Sequence, residues 1–459
     1  MKALEVLKKG RVKYLIYIGI VLIATGISLG FALWGDKFSE TVNAFKNVDP
    51  LYICLIILIV FVSYAFDGLI IYIFCRLYTR KYRWHQGCAT TLIGQFYSDI
   101  TPGATGGQIM EVFTLRKQGI KVANAASIMV MWFIMYQTSL IIFDIIALCV
   151  EWQTIITSKP LFIGGLNWEI PLLPLIIIGF ALNLSVIAIL YMMSFSSRFH
   201  NWIIKYGLGF LAKIKLVKNL EEQREKVRIH ALNFKNELKR LQTNFPVIIV
   251  TFIVFMVMLF ARFSIPYFAG LSLNAWGDKS FSAVLLFRSA FLSATHQMVT
   301  GLIPLPGSAG VSEMCFEYLF YNYFYYGPDG VTPSALVSSL EPSKVGGVME
   351  GIMSSTQILW RTATFHIVLL VTGIVAAFYH GRPSKSMEYA NRKTFVDLQY
   401  ETYQHDDLNK TELDLVENTQ ILQNPVKIKR RKKVEKVEKP KEVKKEKIED
   451  NTKWDDFNI

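Results

Sequence analysis

The chain has 459 residues, 52% of them hydrophobic and 19% charged, with a formal net charge of +13. Uncharged runs at Leu15–Trp34, Val122–Phe143 and Pro171–Ser197 are each long enough to cross a hydrocarbon core of roughly 30 Å. They exclude a soluble architecture and predict an all-α polytopic membrane protein. The positive charge is then a topology signal, and no nucleic-acid partner is expected. Cys54, Cys75, Cys88, Cys149 and Cys315 stand singly in or beside apolar runs. Neither a disulfide framework nor a metal site is expected from them, and no cofactor is expected elsewhere.

In chain order, Lys8, Lys9, Arg11 and Lys13 precede an apolar run too long for a signal-peptide core, and no small-residue cleavage site follows. The first span therefore starts on the cytoplasmic side. Asp36, Lys37, Glu40, Lys46 and Asp49 form a mixed loop that suits the outer side. Leu51–Cys75, interrupted by Asp67, is the second span, and Arg76, Arg80, Lys81 and Arg83 place its far end inside.

Gln95 to Ile120 comes next. It is apolar enough for membrane depth, yet it carries Asp99, Glu111 and the turn Pro102-Gly103-x-x-Gly106-Gly107. Its exit is again basic, at Arg116, Lys117 and Lys121, so the segment enters and leaves on one side as a re-entrant hairpin. Val122–Val150, with Asp144, crosses outward, and Pro171–Ser197 returns to a basic region from Arg198 to Lys239. Within that region Asn219–Gln242 (the helix at 219–242) has an amphipathic stripe through Leu220, Val227, Phe234 and Leu241. Phe245–Tyr267 crosses outward with Arg262 near its end. The last span, around Arg361 to Tyr379, finishes inside, ahead of Arg382 and Lys385. Residues 1–381 thus form one transmembrane domain with both termini inside. Residues 382–459 form a charged tail that cannot bury a core and is expected to be disordered.

Pro304 to Glu313 repeats the first turn more loosely: Pro306 to Gly310 matches Pro102 to Gly106 in spacing, and a glutamate follows each turn. On this count the second turn opens from the outer face, giving two inverted re-entrant Pro-Gly hairpins. Such a duplicated break is the sequence pointer to a transport site. Proline disfavours helix in the residue before it, so Thr101 and Leu305 should end their segments. Helices restarting after Gly106 and Gly310 would present free N–H groups to an anion such as a lipid phosphate.

Charges at membrane depth are costly unless paired or wetted. Asp67, Glu111, Arg288 and Glu313 rank as nearest the expected cavity, with Arg116 as a further candidate. Thr101, Pro102, Gly103, Gly106, Gly107, Pro306, Gly307 and Gly310 would form its turns. Asp144 and Arg262 are expected near the interface, with Arg262 snorkelling to water. His296 and Gln297, just before the second turn, are expected either to bridge helices by hydrogen bonds, the favoured role, or to contact a headgroup.

The stretch T-P-G-A-T-G-G-Q-I-M-E-V-F with its exit L-R-K-Q-G, followed by P-L-P-G-S-A-G-V-S-E, resembles the lysylphosphatidylglycerol synthetase/flippase transmembrane family. That family includes the membrane half of the multiple peptide resistance factor, and the resemblance runs from about Val12 to Tyr379. It implies a protein of the cytoplasmic membrane that flips an anionic or aminoacylated phospholipid, or another lipid-linked headgroup, with no catalytic residues of its own. Full-length synthetases of the family carry a large soluble acyltransferase-like domain after the membrane region, and Arg382–Ile459 is too short and too charged to form one. Lysyl transfer from lysyl-tRNA to phosphatidylglycerol is therefore the alternative reading. A third is a non-transporting membrane partner of a separate synthetase or glycosyltransferase.

Overall fold

The computed structural model describes residues 37–46, 48–157, 161–163, 168–195, 244–301 and 310–379, with isolated positions at 19, 23, 26, 308 and 381. The expected first span at 15–34, the amphipathic helix at 219–242, Leu305, Pro306, Gly307 and the tail at 382–459 lie outside the described residues. Five described helices are long and apolar enough to cross a membrane: Pro50–Arg76, Asn124–Val150, Leu172–Ile189, Phe245–Ser272 and Pro342–Phe378. The protein is an all-α polytopic membrane protein. Among the described residues the one small departure is an antiparallel pair of three-residue strands, β1 (Leu161–Ile163) and β2 (Trp168–Ile170), in the connection between two spans.

A short helix, α1 (Lys37–Phe45), precedes the first described span, α2 (Pro50–Arg76). Asp49 caps α2 by accepting from the Leu51 N–H, and Pro50 occupies a first-turn position where its missing N–H costs nothing. Arg76, Arg80, Lys81 and Arg83 gather at the other end of α2. There the chain turns into the first hairpin, α3 (Trp84–Ile100) and α4 (Thr105–Lys117). The hairpin closes where it began. Gln118 accepts from the Tyr82 hydroxyl at 2.7 Å and from Thr90 at 3.1 Å, and it donates to the Gln86 carbonyl at 2.8 Å.

The next helix, α5 (Val122–Val150), runs from this basic end to the other, followed by the short α6 (Trp152–Thr157). Then α7 (Leu172–Phe195) returns. The following span is α8 (Phe245–Phe263) continued by α9 (Ile265–Ser272), bent where Pro266 removes a donor. Its far end meets the start of α2, with the Asp49 N–H donating to the Ser272 carbonyl at 2.9 Å. The second hairpin, α10 (Ala283–Thr300) and α11 (Val311–Tyr325), starts at that same end. Arg288 in the second turn of α10 pairs at 3.2 Å with Glu151, the residue after α5. Near the close of α11, the Trp276 indole donates to the Tyr323 carbonyl. The two helical hairpins therefore open at opposite ends of α5, the inverted arrangement expected from the sequence.

A short α12 (Ala335–Ser339) leads into the last span, α13 (Pro342–Arg361), a π turn (Thr362–His366) and α14 (Ile367–Phe378). This span is 37 residues long. At 1.5 Å per residue that is about 55 Å, well beyond the hydrocarbon thickness. The span expected around Arg361 to Tyr379 is therefore only its second half. The first half escaped a hydropathy reading because Ser354, Ser355, Thr356 and Gln357 face inward rather than to lipid.

Lipid tails are as apolar as leucine, so helices in a bilayer gain little from burying apolar faces and rely on close fit. Glycines make the closest approaches. A Cβ at Gly87 would overlap the Gly68 carbonyl of α2, and one at Gly179 would overlap the Met298 carbonyl of α10. Around each hairpin lies its own cluster of large side chains. One includes Phe74, Tyr82, Leu115 and Phe255; the other includes Tyr267, Trp276, Phe316 and Phe320.

Candidate functional site

The first hairpin breaks at the predicted residue. Thr101, held extended ahead of Pro102 (φ −107°, ψ 142°), ends α3. Gly103 (φ 61°) and Ala104 (φ 56°) then adopt left-handed backbone, which glycine tolerates and alanine rarely does. The new helix starts at Thr105, one residue before Gly106. Its first-turn N–H groups are not all open to a ligand: the Gly106 N–H donates to Thr101 Oγ1 at 2.9 Å, and that hydroxyl donates to the Tyr97 carbonyl. Gly107 is buried against α3, where a Cβ would overlap the Ser98 hydroxyl and lie 2.9 Å from the Gly94 carbonyl. Gly106 and Gly107 thus let the two arms of the hairpin touch.

In the second hairpin, Gly310 (φ 88°) caps α11. Its N–H donates at 2.6 Å to Glu313 Oε2, so the glutamate three residues on lies at the positive end of its own helix. The other oxygen, Oε1, accepts from Arg361 Nε at 2.8 Å. Glu313 and Arg361 are both buried. Arg361 is the twentieth residue of the 37-residue last span, at its middle. The guanidinium also lies 4.8 Å from the Phe365 ring.

From this pair a line of charges runs back to the first hairpin. Asp99, in the last turn of α3, lies within electrostatic reach of Arg361 and Arg262. Its Oδ1 accepts from Gln95 at 2.8 Å, while its buried Oδ2 has no hydrogen-bond partner. Arg262 donates from Nε to the Ser63 hydroxyl at 2.9 Å, its guanidinium covers the Tyr64 ring at 4.4 Å, and its buried Nη2 is unpartnered. Asp67 on α2 lies within reach of Arg262 and accepts from the Trp132 indole at 2.6 Å. Glu111 on α4 completes the line beside Asp67, its carboxyl set across Gly94, where a Cβ would overlap it.

Asp67, Glu111 and Glu313 of the candidates are therefore gathered into the buried centre. Arg288 is not. It serves the base of the second hairpin through Glu151 and Thr154. Arg116 is exposed at the base of the first hairpin. Arg262 does not snorkel, because the span continues to Ser272 and leaves it in the interior rather than at an end. Asp144 is fully buried within the protein and accepts from Asn183 at 3.2 Å. His296 and Gln297 do bridge helices, to the Ser312 carbonyl at 2.9 Å and the Tyr136 hydroxyl at 3.0 Å.

Three polar residues of the last span escaped the sequence reading: Thr356, Gln357 and His366, each with a buried side-chain atom lacking a partner. Gln357 and Arg361 share a face by their spacing of four. His366 comes onto that side only because the Ile367 N–H bonds back five residues to Thr362, a π turn of the kind frequent at functional sites. The polar run before Arg361 was the available signal for Gln357; nothing in the sequence marks the π turn.

Two helical hairpins opening at opposite ends, with their broken tips beside a buried line of charges, define a polytopic membrane protein of the inverted-repeat type. The chain matches the model of the lysylphosphatidylglycerol synthase transmembrane region over residues 16–340, and it belongs to that family. It is also similar to a UPF0104 membrane protein of Archaeoglobus fulgidus, 26% identical over 293 residues that cover 60% of this chain and 70% of that protein. No solved structure matches the chain. The family match stops at residue 340, ahead of Arg361 and the π turn.

Proposed function

We propose that this protein moves a phospholipid or lipid-linked headgroup between the leaflets of the cytoplasmic membrane, with lysylphosphatidylglycerol, suggested by the family's description, as the first lipid to test. The observation that carries the reading is the pair of oppositely opening hairpins that meet the middle of the last span, where Arg361 pairs with Glu313 of the second hairpin and lies within reach of Asp99 of the first. Rocking one hairpin against the other would open the centre to each face in turn. The end bearing Arg76, Arg80, Lys81, Arg83, Arg116, Lys117 and Lys121 is the cytosolic one by the positive-inside rule.

At the second tip Glu313 already satisfies the Gly310 N–H and neutralises Arg361. An arriving headgroup phosphate would compete with it for both, since each is a donor aimed at negative oxygen. A cationic headgroup substituent would then find Glu313, Asp99 or Glu111. Headgroup exchange against an internal carboxylate keeps the buried charge balanced as the lipid passes.

The test is transbilayer movement of fluorescent lysylphosphatidylglycerol in reconstituted vesicles. Arg361→Gln should slow movement at least tenfold, and Arg361→Lys should restore part of it, because a lysine keeps the charge but not the guanidinium geometry. Equal rates for parent and Arg361→Gln, with both variants inserted and monodisperse, would remove this site from the function.

A further inference from the structure

The line of charges is unbalanced at the first hairpin. Glu111, Asp67 and Asp99 come from three different helices; Glu111 and Asp67 are buried, Asp99 is half-buried with its Oδ2 shut off from solvent, and none of the three makes an ion pair among the described residues. Glu111 is 8% exposed and has no hydrogen bond. Its charged neighbour is another acid, Asp67. One guanidinium, Arg262, stands within reach of Asp67 and Asp99, and its contacts are a hydroxyl and a tyrosine ring rather than a carboxylate. Arg361 is already committed to Glu313.

Three ionised carboxylates around a single cation would leave two uncompensated negative charges at membrane depth. Such a group neutralises by taking up protons rather than bear that cost. Glu111 also has room made for it. Gly94 leaves the slot in α3 that the carboxyl fills, so the acid is built into the hairpin and not stranded by chance.

We propose that the chain carries protons as well as lipid, with Glu111 and Asp99 as the proton-carrying groups and Arg262, within reach of Asp99 and of Asp67 beside Glu111, as the fixed charge toward which they discharge. The inference rests on the transport reading above and supplies its driving force. A proton from water bonds to Asp99 Oδ2 or a Glu111 carboxylate oxygen when the centre is open to one face. When the hairpins rock and a guanidinium closes on the carboxylate, that O–H bond breaks and the proton leaves to water at the other face. Nothing is oxidised or reduced.

The groups facing this cluster come from every helix packed on it. They are Tyr64 and Asp67 on α2, Cys88 and Asp99 on α3, Trp132 and Tyr136 on α5, and Arg262 on α8. On the side of the second hairpin stand Arg361, Glu313, His296 and His366. The histidines neighbour Arg361 and Glu313 and belong to that side of the line. Among these groups Glu111, which has no hydrogen bond, and Asp99, whose buried Oδ2 has no partner, are the acids whose oxygens are least satisfied.

Two measurements test the proposal. Infrared spectra of the purified full chain at neutral pH should show protonated carboxylic-acid bands that shift on hydrogen–deuterium exchange. Glu111→Gln and Asp99→Asn should each remove one component while intrinsic tryptophan fluorescence and monodispersity stay as in the parent. Absence of any protonated-acid band assignable to these residues overturns the proposal whatever the transport result.

The second measurement uses vesicles of phosphatidylglycerol and lysylphosphatidylglycerol loaded with pyranine, under an imposed pH gradient. Lipid movement should respond at least fivefold to the direction of the gradient and should be accompanied by proton flux, and Glu111→Gln should abolish both responses. Lipid movement indifferent to the gradient overturns proton carriage and leaves the transport reading standing. No lipid movement under any gradient overturns both.

Discussion

Glu313 and Arg361 show how much one residue's position can decide. Each would be expensive alone in a bilayer, and each is satisfied because the other lies at 2.8 Å and a helix N-terminus points at the same carboxylate. Such a pair adds little net stability over apolar residues, but losing one partner costs about 3–5 kcal/mol because a buried charge is left behind. It is therefore better suited to setting one arrangement of the tips than to holding the fold together. Outside the membrane, the acids behave differently. Asp329 accepts from the Thr332 hydroxyl and from the Val331 and Thr332 N–H groups, and these donors hold its carboxyl below the usual range. A depressed folded-state value means the turn's support is present above the unfolded carboxylate range and is lost as pH falls through the folded value. Protection of the Val331 and Thr332 amides in hydrogen exchange should accordingly hold through the ordinary aspartate range, about pH 4, and drop only below it. In Asp329→Asn that pH dependence should disappear.

Among the elements, the first hairpin is held by contact at its tip and by a neutral polar network at its base. Gln118 is fully buried and uses both ends of its amide, reaching Tyr82, Thr90, Gln86 and, at 3.0 Å, the Tyr379 hydroxyl after the last helix. The second hairpin is fastened at its base by an ion pair, Arg288 with Glu151. The tip of the first depends on Gly107, where any side chain must displace Ser98. Gly107→Leu should therefore destabilise the hairpin by about 1–3 kcal/mol through overpacking. Thermal unfolding in detergent would show this as a lowered midpoint, and an unchanged midpoint would mean the arms can separate without cost. This reason for the glycine differs from the ligand approach the sequence suggested.

On the scale of the whole molecule, the two hairpin bases lie at opposite ends of α5 and carry different charge. Among the described residues the charges at the first are basic, at Arg76, Arg80, Lys81, Arg83, Arg116, Lys117 and Lys121, while the second has Asp49, Lys279 and Asp278. A cysteine placed at Arg83 and one placed at Lys279, each in a cysteine-free background, should react with an impermeant maleimide from opposite faces of oriented vesicles. Cys54 and Cys149 must be removed first, because both are exposed. Labelling of both positions from one face would contradict the crossing of α5 and with it the inverted arrangement.

The sequence by itself determined the membrane class, most span positions, the break at Thr101 and the return of the first hairpin to its own side. Hydropathy, proline geometry and charge bias are local properties, carried by residues adjacent in the chain. The sequence also marked Asp67, Glu111 and Glu313 as costly, because a charge in an apolar run needs no partner to be conspicuous. Only the tertiary structure decided what each charge meets. Arg288 and Glu151 are 137 residues apart in the chain, and Arg361 and Glu313 are 48 apart. Arg262 looked terminal because its span was read as closing at Tyr267, whereas the helical run continues to Ser272. The π turn that brings His366 beside Arg361 is a matter of backbone hydrogen bonds that reach five residues back, as the Ile367 N–H does to Thr362, and no residue type in Thr362–His366 marks it.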